Sequence, residues 1–144
     1  MINKIKINEG FRAFIYKDTL GFETIGYGFK VDDLTRDELA LNGGKVAPMN
    51  EDVAEKILIL KIQKLEESFK KEFYFYENLP QNVKEVLLEM AYQMGILGVK
   101  KFRNTLIFIE KGDYKRAYEN ALKSLWAKQT PNRAKKVLAG LLNG

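Results

Sequence analysis

The sequence contains neither cysteine nor histidine, and these two absences exclude several classes of chemistry. Without cysteine there is no disulfide, no thiolate nucleophile and no zinc site of the cysteine type. Without histidine there is no imidazole general base, no Ser-His-Asp triad and no imidazole ligand for a transition metal. Because carboxylates, lysine, tyrosine and backbone dipoles remain, the acidic residues are the first candidates for a reactive site.

Long apolar runs are also missing. The most apolar segment, residues 57–62, is interrupted by Lys61, and no stretch approaches the roughly 20 residues that span a bilayer. The first ten residues alternate isoleucine with polar residues and lack the apolar core and cleavage site of a secretory signal. We therefore expect that the protein is made in the cytoplasm and does not insert into a membrane.

The net charge of +5 over 144 residues favours a polyanionic partner, which includes nucleic acid, anionic lipid and acidic cell-wall polymers. Basic residues are scattered, with short clusters only at residues 70–71 and 133–136. No RNA-binding signature or zinc finger is present, so a basic surface is favoured over a dedicated nucleic-acid stripe. The length fits one compact domain or two small lobes that share a core.

Strand-forming sequence is concentrated near the N-terminus. A first helix over residues 2–8 ends at Glu9 and Gly10, since glycine is a natural helix stop. Residues 13–16 and 23–29 are rich in aromatic and β-branched residues, and the turn-like segment between them predicts a hairpin. The glycines in the second strand suggest a bulge, or a place where backbone or ligand approaches closely.

Helical periodicity dominates the remaining sequence. Asn50 is a good N-cap, and the apolar spacing after it predicts a helix of about twenty residues to Phe69. Further helices are predicted at 83–94, after Asp113, and after Thr130, which precedes proline. The pattern predicts one α+β domain with a hairpin lobe (about 10–49), a linking helix (about 50–69) and a mainly helical lobe (about 70–144 plus the N-terminal helix).

Glu9 and Asp18 flank the first strand of the hairpin, one at a helix end and the other at the turn. Both can therefore face a groove between the hairpin and the helical lobe. Two carboxylates across a cleft are the usual requirement for cutting a glycosidic bond, one protonated and one ionised. The spacing alone does not single out this pair, because the chain has nineteen acidic residues.

Three segments resemble the phage T4-type lysozyme family. Residues 8–28 contain a Glu-Gly pair, a Tyr-x-Asp turn and a Thr-Ile-Gly-x-Gly strand, and residues 90–95 and 123–135 provide further matches. With similar elements between them, these segments cover nearly the whole chain. The resemblance implies a lysozyme-like fold, no metal or organic cofactor, and an inverting muramidase that hydrolyses the β-1,4 bond between N-acetylmuramic acid and N-acetylglucosamine.

The resemblance also implies roles for individual residues. Glu9 would be the general acid, Asp18 the carboxylate on the opposite face of the sugar, and Thr24 the hydroxyl that helps to hold the attacking water. Five further positions would bind substrate: Tyr92, Gln93, Thr105, Asn120 and Arg133. An aromatic ring beside polar amides suits a sugar, whose apolar faces pack on rings while its hydroxyls form hydrogen bonds. Without the motif, these residues would be read as ordinary packing or surface positions.

Two positions depart from the family pattern. Phe29 stands where the family strand usually continues with histidine, so we expect a change in stability or pH profile. Leu125 stands where close relatives often carry a basic residue, which removes one contact to an acidic wall. Separately, the aromatic run at residues 73–76 suggests sugar stacking, but packing after the long helix is the simpler explanation. Trp126 is also expected in the core.

The resemblance implies host-cell lysis by a monomer acting on peptidoglycan after release by a separate holin-type membrane protein, without a nucleic-acid partner. A lytic transglycosylase, which uses a glutamate without a water-activating aspartate, is the nearest alternative enzyme. A wall-binding or virion structural domain that has lost turnover is the alternative outside enzymes. A basic nucleic-acid-binding domain is a third, which only the charge supports.

Overall fold

The computed structural model describes residues 1–143 and has an α+β architecture, as predicted. A small sheet near the N-terminus is followed by a mainly helical chain. In order, the elements are α1 (Ile2–Glu9), β1 (Arg12–Lys17), β2 (Glu23–Gly26), β3 (Phe29–Lys30), α2 (Arg36–Ala40), α3 (Glu51–Glu72), α4 (Gln81–Lys100), α5 (Arg103–Glu110), α6 (Tyr114–Ala121), α7 (Leu125–Gln129) and α8 (Pro131–Leu138). None of the helices within residues 1–143 combines the length and apolar character needed to cross a membrane.

The sheet is a three-stranded antiparallel meander rather than the single hairpin that the sequence predicts. The predicted second strand, residues 23–29, divides into β2 and β3, because Gly26 and Gly28 adopt φ of 68° and 76°. In the register, Tyr16 lies opposite Thr24, and the irregularity in pairing falls within β1. The pairing irregularity therefore lies opposite the Thr24–Gly26 segment, and Gly26 and Gly28 flank the turn between β2 and β3.

Several predicted helix boundaries are confirmed. Asn50 caps α3 through its Oδ1, which accepts a hydrogen bond from the Val53 N–H at 2.8 Å. The predicted helix end at Gly95 is instead a kink inside α4, where φ is 75° and ψ is 164°. Thr130 precedes α8, but its hydroxyl donates to the Trp126 carbonyl and does not cap the helix. The short helices α2, α5 and α7 were not predicted from the sequence.

The chain forms two compact units, Met1–Gln63 and a second that begins at Lys64 within α3. The sequence grouped α1 with the later helices, whereas α1 belongs to the first unit. There Lys6 forms an ion pair with Glu55 at 3.1 Å and lies 5.8 Å from the centre of the Tyr27 ring. These contacts hold α1 against other parts of the first unit.

In the first unit, Phe29 is a core residue. It is buried and meets the Tyr27 ring edge-on at 6.4 Å. The Lys61 ammonium lies 5.4 Å from the Phe29 ring centre and pairs with Glu38 at 3.1 Å. Glu38, only 1% exposed, also accepts a hydrogen bond from the Thr35 N–H at the start of α2. The Phe29 ring thus lies next to the ion pair between Lys61 and the buried Glu38.

In the second unit, Tyr76 supports the packing interpretation of the aromatic run. Its buried ring stacks on Phe69 at 5.3 Å, and its hydroxyl donates to Glu66 at 2.7 Å. Burial and this hydrogen bond raise the pKa of Tyr76. Tyr74, two residues earlier, is 80% exposed and takes no part in this core.

Candidate active site

Glu9 is the last residue of α1, and Gly10 ends the helix with its N–H bonded to the Lys6 carbonyl. The half-buried Glu9 carboxyl lies directly against Gly28. A Cβ atom at Gly28 would stand 2.9 Å from the Glu9 carboxyl carbon, closer than real Cβ atoms approach other heavy atoms. The close approach that the sequence suggested at these glycines is therefore made by the candidate general acid.

Asp18 and Thr24 are both fixed by the peptide groups of Phe22. The Asp18 Oδ1 atom accepts hydrogen bonds from the N–H groups of Leu20 and Phe22, each at 2.9 Å. The Thr24 hydroxyl donates to the Phe22 carbonyl, also at 2.9 Å. Asp18 Oδ2 makes no hydrogen bond with the described residues, and the Thr24 oxygen keeps lone pairs that can accept one. One residue of the turn thus orients two candidate groups.

Tyr16 is a residue of this site that the sequence reasoning did not select. It lies opposite Thr24 in the sheet, and the Arg12 guanidinium stands 5.0 Å from its ring centre. Burial raises the pKa of the Tyr16 phenol, and the negative charges of Glu9 and Asp18 raise it further, while Arg12 opposes them. Both carboxylates therefore lie within electrostatic reach of a phenol that stays protonated. The Tyr-x-Asp spacing was a usable signal, because Tyr16 lies near the end of β1 and Asp18 directly follows that strand.

In the second unit, Gln93 is oriented by Trp126, whose indole N–H donates to the Gln93 Oε1 atom at 2.9 Å. Trp126 is half-buried and meets Phe102 edge-on at 6.2 Å, so it positions a polar side chain as well as packing. The Nε2 group of Gln93 is buried and has no hydrogen-bond partner among the described residues. A buried donor of this kind favours a ligand acceptor.

Thr105 and Asn120 form a second oriented pair in this unit. The Thr105 hydroxyl donates to Asn120 Oδ1 at 2.7 Å, and Thr105 is only 2% exposed. A direct contact with substrate therefore fits the half-exposed Asn120 better, with Thr105 fixing its amide. Tyr92 in α4 and Arg133 in α8 are both half-buried.

The predicted site residues divide between the units. Glu9, Asp18 and Thr24 are gathered around the sheet of the first unit, and the five predicted substrate-binding residues belong to the second. Among residues 1–143, no cluster of three or more acidic side chains is arranged to hold a metal ion.

The phage lysozyme family model matches residues 6–143, nearly the whole chain. The chain belongs to the phage lysozyme family. Probable T4-type lysozyme 2 of Dictyostelium discoideum is 32% identical over 152 residues, which cover 94% of this chain and 89% of that protein. Probable T4-type lysozyme 1 of the same organism is 26% identical over 161 residues, covering 97% and 92%. The phage lysozyme resemblance predicted from sequence is thereby confirmed.

A third relative is much longer than this chain. The pre-baseplate central spike protein Gp5 of Enterobacteria phage T4 is 28% identical over 159 residues. The match covers 100% of this chain and only 28% of the spike protein. Membership of the phage lysozyme family supports a lysozyme-type glycoside hydrolase activity. The spike protein shows that such a domain also occurs within a larger protein.

Proposed function

We propose that this chain is a muramidase that hydrolyses the β-1,4 bond between N-acetylmuramic acid and N-acetylglucosamine in peptidoglycan. The observation that carries this proposal is that Asp18 and Thr24 are both hydrogen-bonded to the backbone of Phe22, in the same unit as the Glu9 carboxyl. These hydrogen bonds use Asp18 Oδ1 and the Thr24 hydroxyl hydrogen, so Asp18 Oδ2 and the Thr24 oxygen lone pairs remain as acceptors for a water. Membership of the phage lysozyme family supports glycoside hydrolysis as the class of reaction.

In the proposed reaction, Glu9 donates its proton to the glycosidic oxygen as the bond from that oxygen to the anomeric carbon breaks. Asp18 Oδ2 accepts a proton from a water whose oxygen forms the new bond to the anomeric carbon. The Thr24 oxygen accepts a hydrogen bond from the second O–H group of that water, which stays intact and becomes the new anomeric hydroxyl. Direct attack by water inverts the configuration, which requires carboxyls far enough apart to admit the water.

Substrate binding is assigned to the polar pairs of the second unit. The Gln93 Nε2 donor would bind a sugar acceptor, Asn120 would bind through the amide that Thr105 orients, and Tyr92 would pack on a sugar face. Arg133 would add a positively charged contact to the substrate, as the family resemblance implies. Each of these roles rests on the family resemblance, and those of Gln93 and Asn120 rest also on the hydrogen bonds that orient their amides.

The charge distribution supports an acidic polymer as substrate. The first 63 residues contain nine basic and ten acidic side chains, and the remainder contains fifteen and nine. The excess positive charge therefore lies in the second unit. Such a surface attracts the peptide stems and anionic polymers of a cell wall at long range.

The proposed setting is lysis of a bacterial host by a monomer made in the host cytoplasm. A separate holin-type membrane protein would release the enzyme to the wall. This setting follows from the phage lysozyme resemblance, and it requires neither a nucleic-acid partner nor insertion into the membrane by this chain.

The test is digestion of purified peptidoglycan by the unaltered chain and by a Glu9→Gln variant, followed by mass spectrometry of the fragment ends. We expect reducing N-acetylmuramic ends from the unaltered chain and none from the variant. The anomeric form of the first product, followed by NMR, should be inverted. Anhydro-muramic ends would reassign the chain as a lytic transglycosylase, and an Asp18→Asn variant with full activity would point the same way.

A structural role is the second candidate, because the similarity to the phage T4 spike protein extends over the whole of this chain. In that case the chain would bind the wall, or serve within a virion, without turnover. Binding of peptidoglycan with no released fragments, from correctly folded protein, would favour this candidate over the hydrolase.

A further inference from the structure

A groove of about 380 Å³ lies in the second unit, apart from every residue to which hydrolysis is assigned. The segment after α3, the end of α5 and the start of α6 form its walls. Three aromatic side chains line it, those of Tyr74, Phe75 and Tyr114, and Asn78 and Glu110 provide polar groups. Its volume falls in the lower part of the range of about 300–1,000 Å³ that is usual for ligand sites.

Tyr74 is the most exposed of the three aromatic residues that line this groove. It is 80% exposed, yet its hydroxyl donates to the Glu110 carboxylate and its ring meets Phe75 edge-to-face at 5.6 Å. The side chain is thus held by its hydroxyl and by its ring contact, while most of its surface stays exposed to water. A fixed ring loses little conformational entropy when a ligand packs on it. The nearby Tyr76, by contrast, buries its ring in the core.

The combination of open rings and polar edges matches the chemistry of a sugar. A pyranose has apolar faces that pack on aromatic rings and a rim of hydroxyls and amides that need hydrogen-bond partners. Asn78 supplies an amide, Glu110 a carboxylate, and Lys111 an ammonium group beside the rings. The mixture of one acid and one base suits a neutral ligand better than a strongly charged one.

We infer that this groove is an accessory saccharide-binding site that packs N-acetylated sugar units of a glycan strand against Tyr74. The inference rests on the proposed function, because it takes the same glycan polymer as ligand. The groove accommodates one or two sugar units, and a second point of attachment lengthens the residence of the enzyme on an insoluble polymer. Linked sites gain affinity without new contacts at either one.

The first test uses the full-length chain carrying Glu9→Gln, so that the ligand is not consumed. Soluble N-acetylglucosamine tetramer is titrated while amide signals are followed by NMR. We expect shifts at Asn78 and Gly112, which line the groove, and their loss in a Tyr74→Ala variant. Leu97→Ala is the matched control, because Leu97 is a 72% exposed apolar residue of the same unit that does not line the groove.

The second test measures binding of the same variants to insoluble peptidoglycan. Tyr74→Ala should weaken binding roughly three- to tenfold, the range expected when one aromatic contact is lost, and Leu97→Ala should bind as before. Tyr74→Phe keeps the ring and should fall between them.

The inference is overturned if the groove amides do not shift, or if the Tyr74 and Leu97 variants bind equally well. Failure of the proposed hydrolase would appear separately, as an absence of fragments from the chain with Glu9 intact. That result would leave the oligosaccharide shifts in the groove unaffected.

Discussion

Replacing Gly28 with alanine should separate the stability of this protein from its activity. The alanine Cβ would stand 2.9 Å from the carboxyl carbon of Glu9, with the Oε2 atom closer still. Since ordinary carbon–oxygen contacts are about 3.3 Å or longer, the carboxyl group must move by roughly 1 Å. The group is the far end of a flexible side chain, so this movement costs little folding free energy. Its position relative to the glycosidic oxygen is nevertheless lost.

The expected magnitudes follow from two separate costs. Alanine at the Gly28 φ of 76° should lower the free energy of unfolding by about 1–2 kcal/mol, because L-residues disfavour the left-handed region. A displacement of about 1 Å in a reacting group can reduce the rate by roughly a hundredfold. Gly44→Ala is the matched control, since Gly44 has a φ of 79° and open space around its Cβ direction.

The assay compares urea unfolding and the rate of peptidoglycan cleavage for both variants. We expect similar losses of stability in the two proteins, together with an activity loss only in Gly28→Ala. If Gly28→Ala cleaves as fast as Gly44→Ala, Gly28 does not set the position of the acid, and the reasoning from the close approach is refuted.

Three further predictions concern single side chains. Glu38→Gln leaves the Lys61 ammonium without its buried partner and should cost about 3 kcal/mol in urea unfolding; an unchanged midpoint would contradict this. Tyr16→Phe removes a protonated phenol beside both candidate carboxylates and should lower kcat roughly tenfold with a nearly unchanged melting temperature, whereas a loss of stability alone would make the residue structural. Burial and the Glu66 hydrogen bond raise the pKa of Tyr76, so the folded protein keeps a proton that the unfolded chain releases above about pH 10. The free energy of unfolding should therefore fall as the pH rises above that value, and Tyr76→Phe should make the fall less steep.

The distance along the chain between interacting residues explains which parts of the candidate site could be predicted. Asp18 and Thr24 are held by Phe22, four and two residues away, and the local turn chemistry was visible in the sequence. The contact of Glu9 with Gly28 joins residues nineteen apart, and the sequence showed only that a glycine there needed a reason. The role of the glycine emerged from tertiary packing.

The same argument applies more strongly in the second unit. Gln93 is oriented by Trp126, 33 residues later, and Asn120 by Thr105, 15 residues earlier. Family resemblance selected three of these four residues as substrate-binding, but it did not show that one member of each pair orients the other. Periodicity predicted Asn50 and the α+β class correctly, because capping and long amphipathic helices are local features.

Phe29 connects the composition of the chain to its expected behaviour with pH. The chain has no histidine, and so no side chain whose ordinary pKa lies between about 5 and 8; Phe29 stands where the resemblance led us to expect one. Its ring lies in the core beneath the Lys61 ammonium, so the substitution adds packing where an imidazole would have added a titrating group. A change in activity between pH 5 and 8, at constant stability, would consequently belong to the reacting carboxyls and the substrate rather than to the fold.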